Sequence, residues 1–532
     1  MPRMKTPRSH QTCRCHCCLH STPRPPSVNG LTRRDFLQGV GTLTAGTLAL
    51  TTFGALGATV CPVPTRPARR FKTLTVQPVL LYETPKRREA TSWRNWGGIQ
   101  TDADAAQEGA RIARELDQLK KRAEFPLQFL PLVSAKSGEA AATALANKSF
   151  DTLLLYAAGG WGLEKLVTPE HANIMFLRHD PGPVYLWYEI VHPRFLRKTV
   201  DAYGQPGMDV WDVVVDSQEE VLWRLRALSG LKNTLSKKIV AIGGMSGWGE
   251  GGRKAPEIAR NLWKLEMVDY PYKQLEPRLK SAMLDPGRRT RAEEEARRFL
   301  RQGGVSLHTD RQFVSNAFVL NEVFKDIMDE ADTDAITVNA CMGTIMGMSK
   351  TTACLPLSLL NDEGYLAFCE SDFVVIPSGI LLHYISGKPV FLNDPTYPHG
   401  DIVTLAHCTA PRKMDGKKCE RTKVLTHFES DYGAAPKVEM RLGQITTNLV
   451  PDFDCKKWIG FAATIVANPF LDICRSQIDV KIHGDSAALM EHMKGFHWML
   501  SYGNYLKETG YALKRVGVDF LNISEAPARR TT

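Results

Sequence analysis

From residue 72 to about residue 400 the chain alternates short apolar runs with amphipathic stretches of helical length, and this pattern restricts the fold more than any other feature. "TLTVQPVLLYE", "FDTLLLYAAGG", "NIMFLRHD", "PVYLWYEIV" and "WDVVVDS" read as strands. "DAAQEGARIARELDQLKKRA" reads as a helix with acids early and bases late, as the helix dipole favours, and "QEEVLWRLRALSGLKN" as a second helix. The alternation predicts an open α/β domain over residues 72–235.

A second α/β unit, 236–400, starts at "KKIVAIGGMSGWGEGG", where a buried strand runs through a glycine-rich loop into the helix "APEIARNLWKL". Such a loop lets backbone N–H groups approach a ligand at a helix N-terminus. It lacks the GxGxxG spacing with a clean acidic partner, so it reads as a tight connection or a polar-ligand site before a dinucleotide site. Strands follow at "DAITVNA", "GYLAFCE" and "KPVFLN", with a helix from Phe373 to about Ser386. Past residue 400 the texture changes to short, often alternating runs ("KVLTHFE", "KVEMRLGQITTNLV", "WIGFAATIVA", "SQIDVKIHG"), and "FHWMLSYGNYLKETGYALKRVG" reads as a closing helix. The expected fold is therefore two open Rossmann-like α/β domains followed by a C-terminal β-rich, barrel-like domain, 401–532.

A net charge of +10 suggests nucleic acid until it is located. Residues 1–60 hold seven Lys/Arg and one acid, Asp35, a balance of +6, which leaves 10 − 6 = +4 for the remainder and no long basic run. No nucleic-acid partner is expected. The basic head itself, Thr32-Arg33-Arg34-Asp35-Phe36-Leu37 before an uncharged stretch that lasts to Arg66, resembles a twin-arginine export signal. Between Gly39 and Val60, 11 of 22 residues are Gly or Thr, which makes a poor membrane span. The reading is a 1–60 signal segment, a 61–71 linker, and export through the twin-arginine translocase to the periplasm; an uncleaved anchor is the rival. Five of the 12 cysteines lie at or before residue 61, and "CRCHCC" falls in the segment to be discarded. The other seven lack CxxC pairs and do not read as a disulfide framework.

The stretch "GYLAFCESDFVVIPSGILLHYISGKPVFLND", residues 364–394, ends each of two strand-like runs on carboxylates: Glu370 and Asp372, then Asp394. Read as a strand–helix–strand unit with Gly387 stopping the helix, it places two parallel strand ends on one sheet edge, about 4.8 Å apart. Carboxylates there can converge on one hard divalent ion, with bonds of about 2.1 Å. Ordinary cap and turn acids are the other reading.

This unit resembles the metal-binding core of the L-fucose isomerase-like sugar isomerases, which share an architecture with arabinose isomerases. The likeness rests on Glu370-Ser371-Asp372, on "YISGKPVFLND" with Asp394 at +24 from Glu370, and on "GFHWMLSYGNY", which resembles, with different residues flanking the histidine, a motif carrying the family's histidine ligand and opening a C-terminal helix. It covers residues 335–520 and implies that Glu370, Asp394 and His497 bind Mn²⁺ or another divalent metal. Glu370 and Asp394 would also be the catalytic acid–base pair, with Asp372 orienting the shell or the substrate. His407 is either a ligand, a substrate contact or a packed histidine. Trp248, Trp93 and Trp96 can stack on a sugar face or simply pack. The implied activity is aldose–ketose isomerisation of a monosaccharide or sugar-like substrate through an enediol, in a homo-oligomer. Folding around the metal before export would shield a Mn²⁺ site from tighter-binding ions outside. Two other readings stand: a non-isomerase carbohydrate-active or carbohydrate-binding relative, and a nicotinamide-dependent oxidoreductase, which the missing fingerprint disfavours.

Overall fold

The computed structural model describes residues 71–159, 162–185 and 207–525. The twin-arginine segment, the "CRCHCC" cluster, nearly all of the linker and most of "PVYLWYEIV" lie outside the described residues. Among those described, no helix is long and apolar enough to cross a membrane.

The first sheet contains β1 (Leu74–Leu81), β2 (Leu127–Phe129), β3 (Val133–Ala135), β4 (Thr152–Ala157), β5 (Ala172–Leu177) and β6 (Val213–Val215). All pairs are parallel, in the order β2-β1-β4-β5-β6, with β3 also on β1. The outer neighbour of β1 is divided: β2 meets Leu74–Val76 and β3 meets Val79–Leu81. The gap includes Pro78, which has no N–H to offer a ladder. The expected helices form at Asp102–Arg122 and Gln218–Thr234, the first opened by a capping box between Thr101 and Asp104.

The next strands are β7 (Lys238–Ile242), β8 (Glu266–Tyr270), β9 (Val305–Leu307), β10 (Ala335–Val338) and β11 (Leu366–Cys369). Four of them make a second parallel sheet, ordered β11-β10-β7-β8. Their side chains are buried almost throughout β7, β10 and β11, because helices cover the sheet.

The remaining strands are β12 (Phe391–Pro395), β13 (Ile402–His407), β14 (Arg421–Leu425), β15 (Ala435–Glu439), β16 (Ile445–Val450), β17 (Lys457–Ala467), β18 (Ser476–Ile482), β19 (Trp498–Tyr502) and β20 (Asp519–Asn522). Six of these close into a barrel in the order β16-β19-β12-β13-β18-β17, with β17 pairing back onto β16. Phe391, Leu405, Phe461, Ile478 and Trp498 belong to its core. β20 adds to β17, and β9 joins β14 and β15 in a small separate sheet. The chain is thus mixed α/β, with parallel sheets and a closed six-stranded barrel in its C-terminal region.

Two expectations need correction. "KPVFLN" does become a strand, β12, but not a parallel neighbour of β11: it lies antiparallel between β13 and β19 in the barrel. A short apolar run suits either setting, and the partner decides; here Phe391 and Leu392 face Leu500 and Met499. The closing segment is not one helix either. Its first part is β19, whose five residues are all buried, and Gly503 at φ +114° breaks the chain before the helix Leu506–Arg515.

Candidate metal centre

The barrel strands β19, β12 and β13 are neighbours, and their register brings three polar residues to one rim. Asn393 pairs with Trp498, so Asp394 lies beside His497, the residue just before β19. Asp394 pairs with Ala406, so His407, the last residue of β13, completes the row. The distance from His497 Nε2 to Asp394 Oδ1 is 3.2 Å. Ligand atoms of Asp394, His407 and His497 all lie within 4.8 Å of one another.

The C-terminal end of β11 faces this rim. Immediately after Cys369, Glu370 and Ser371 adopt left-handed backbone, at φ +63° and +49°. Two successive non-glycine residues there carry strain that the surroundings must hold. The Ser371 N–H donates to Thr337 Oγ1 at 3.1 Å, and the Ser246 hydroxyl donates to the Glu370 and Ser371 carbonyls at 3.2 Å each. The turn sends both acids to the barrel histidines. Glu370 Oε2 is 3.4 Å from His497 Nε2, and Glu370 Oε1 is 3.7 Å from His407 Nε2. The four residues therefore converge because two substructures abut, not because two parallel strands end side by side.

Asp372 is the anchor. Its Oδ1 accepts from the Trp248 and Val374 backbone N–H groups at 3.2 and 3.1 Å, and its Oδ2 lies 2.7 Å from His497 Nδ1. An Nδ1–H donated to a buried carboxylate leaves the Nε2 lone pair facing the rim, as metal-binding imidazoles require. His407 is similarly fixed, with Nδ1 2.9 Å from Thr409 Oγ1. His407 Nε2, His497 Nε2 and Asp394 Oδ1 are buried and make no well-formed hydrogen bond, and stand only in ion-pair range of one another and of Glu370. Ligand atoms crowded at one rim with no well-formed hydrogen bond are poorly satisfied, and a cation would satisfy them together. These residues can hold a metal ion.

Without a cation the charges settle among themselves. Burial opposes ionisation of Glu370, yet the His407 and His497 rings win and hold its carboxyl well below the usual range. Burial pushes the Asp394 carboxyl up; the two imidazoles oppose this and Glu370 reinforces it. Burial disfavours His497 as a cation, but Asp372, Glu370 and Asp394 overcome it and raise its pKa to about 10. His407 is raised against burial by Glu370 and Asp394. Two carboxyls with divergent affinities for protons stand on one cluster.

A cavity of about 580 Å³ opens onto this cluster. The glycine-rich loop after β7 forms part of its wall, held by a bridge between Ser246 and Asp372. Trp248 stacks flat on Phe496, with ring centroids 3.6 Å apart, and remains 46% exposed. Trp93 and Trp96 are not among the cavity-lining residues, and Trp96 is exposed. His427, which nothing in the sequence favours over other histidines, and Glu429, which the sequence does not single out, also line the cavity. Burial first, then the neighbouring His407 and Arg475, lower the His427 pKa to about 4, so the ring is neutral. Their only signal was position within "KVLTHFE", read as a plain strand. Five scattered cysteines were missed as well: Cys341, Cys354, Cys369, Cys408 and Cys474 all border the same cavity. Comparison with protein-family models and with curated proteins finds no match.

Proposed function

We propose that the chain is a divalent-metal-dependent isomerase of a sugar or sugar-like polyol, and that Glu370, Asp394 and His497 hold Mn²⁺ or a similar ion, with His407 facing it. One observation carries this reading: ligand atoms of Asp394, His407 and His497 lie within 4.8 Å of one another at the barrel rim, with the ionised Glu370 beside both histidines. When bound, the ion would bring two adjacent substrate oxygens together and polarise the carbonyl. The chain's own groups then have distinct tasks. Glu370 and Asp394 are the two carboxylates at the site that can take a carbon-bound proton and return it to the adjacent carbon. Asp372 keeps His497 in one tautomer and ties the Trp248 loop to the site. The exposed part of Trp248 offers an apolar surface beside the opening, and the cavity is large enough for a monosaccharide.

The two Rossmann-like domains, the homo-oligomer and twin-arginine export belong to the same proposal. Metal analysis of protein purified from the cytoplasm, followed by a screen of aldoses for ketose formation and for solvent-deuterium incorporation, tests the activity. Ketose formation with incorporation supports it. A metal-loaded protein that binds sugars but forms no ketose favours a binding relative instead. Export is tested by changing Arg33 and Arg34 together to Lys, which should retain the folded protein in the cytoplasm.

A further inference from the structure

The cleft carries buried thiols, next to Glu370 and His407, that the isomerase reading does not use. Cys341, just after β10, and Cys369, the last residue of β11, are both buried, with Sγ atoms 3.4 Å apart. A Cys369 Sγ, a Glu370 oxygen and a ring nitrogen of His407 lie within 4.8 Å of one another. His407 is 3% exposed, its Nδ1 is engaged with Thr409, and its Nε2 makes no well-formed hydrogen bond. The two oxygens of Glu370 also diverge: Oε2 is nearer His497, whereas Oε1 faces His407.

We infer that Cys341, Cys369, Glu370 Oε1 and His407 Nε2 form a second cation position, for a thiophilic divalent ion of the zinc or cobalt(II) class. Cys369, Glu370 and His407 already stand within ligand reach, and Cys341 joins through Cys369: two thiolates on a tetrahedral ion at bond lengths of about 2.3 Å stand about 3.8 Å apart, close to the 3.4 Å of this pair. Each thiol releases its proton to solvent on binding, and the soft sulfur donors select against manganese. Glu370 then lies between a sulfur-containing position and the oxygen–nitrogen position at Asp394 and His497. It shares Glu370 and His407 with the proposed site, but its distinguishing donors are the two thiols, whose signal does not depend on isomerase activity.

The test uses full-length protein, reduced and freed of metal, and titrated with cobalt(II). Wild type should develop the near-ultraviolet thiolate-to-cobalt charge-transfer band. Cys369→Ser should lose the band, and Cys341→Ser should weaken it. Asp394→Asn should keep the band while losing binding at the other position, so failure of one site can be told from failure of the other. A readout on unaltered protein guards against variants that misfold: saturating zinc should protect Cys341 and Cys369 from alkylation, mapped by mass spectrometry. A wild-type protein with no charge-transfer band overturns the assignment. So does a band undiminished in folded Cys369→Ser, or alkylation of both cysteines unchanged by zinc.

Discussion

Asp372 supports the site through three contacts, two to backbone N–H groups and one to His497. Asp372→Asn keeps the shape but weakens the hold on the imidazole tautomer. Loss of such a supporting partner typically costs roughly 10- to 100-fold in metal affinity. A chelator-competition titration should show a loss in that range, with the far-ultraviolet spectrum unchanged. The metal-free cluster makes a second prediction. His497 rises from its ordinary 6.5 to about 10 on folding, so its protonated form stabilises the metal-free fold fully below about pH 6.5. That contribution is lost as pH climbs through about 10. Denaturant midpoints of metal-free protein should fall across this window, whereas metal-saturated protein should not follow, because the cation replaces the proton. The same charge pattern separates the two acids. In the absence of metal, Glu370→Gln should lower stability, since two imidazoles hold that carboxylate ionised, while Asp394→Asn should leave it level or raise it.

At the scale of elements, the glycine-rich loop is a packed device. A Cβ on Gly247 would stand 2.1 Å from the Gly252 carbonyl oxygen, and one on Gly252 would stand 2.5 Å from the Gly247 carbonyl carbon. Backbone cannot yield as a flexible side chain does, so Gly247→Ala should destabilise by about 1–3 kcal/mol. It should also disturb the neighbouring Trp248–Phe496 stack, which tryptophan fluorescence would report as a shift. The main parallel strands and the helices Asp102–Arg122 and Gln218–Thr234 are legible because their periodicity is local, as in "KIVAI", "AITV" and "LAFC", whereas the helices Tyr272–Leu284, Pro286–Leu300 and Arg311–Glu330 go unread. Strand partners were not legible. "FLND" has the same texture whether it lies beside β11 or in a barrel, and "WMLSY" has the apolar content of either a helix or a strand. Glu370, Asp394 and His497 were singled out for their residue types and for a resemblance. The geometry first offered for the two acids, adjacent parallel strand ends, is not the one that joins them.

For the whole molecule, the centre lies where the end of the second parallel sheet meets the rim of the barrel. Glu370 and Asp372 come from one, and Asp394, His407 and His497 come from the other. A cation held by ligands from both would link binding to cohesion of the molecule, and metal at 100 times its Kd would add about 2.7 kcal/mol to stability. The most direct test of this account is a manganese titration of metal-free full-length protein, following the electron paramagnetic resonance signal of the free ion. Wild type should remove manganese stoichiometrically from solution, and Glu370→Gln, Asp394→Asn and His497→Ala should each bind it far more weakly. A wild-type protein that leaves all the manganese free, or three folded variants that bind it as well as wild type, would contradict the account.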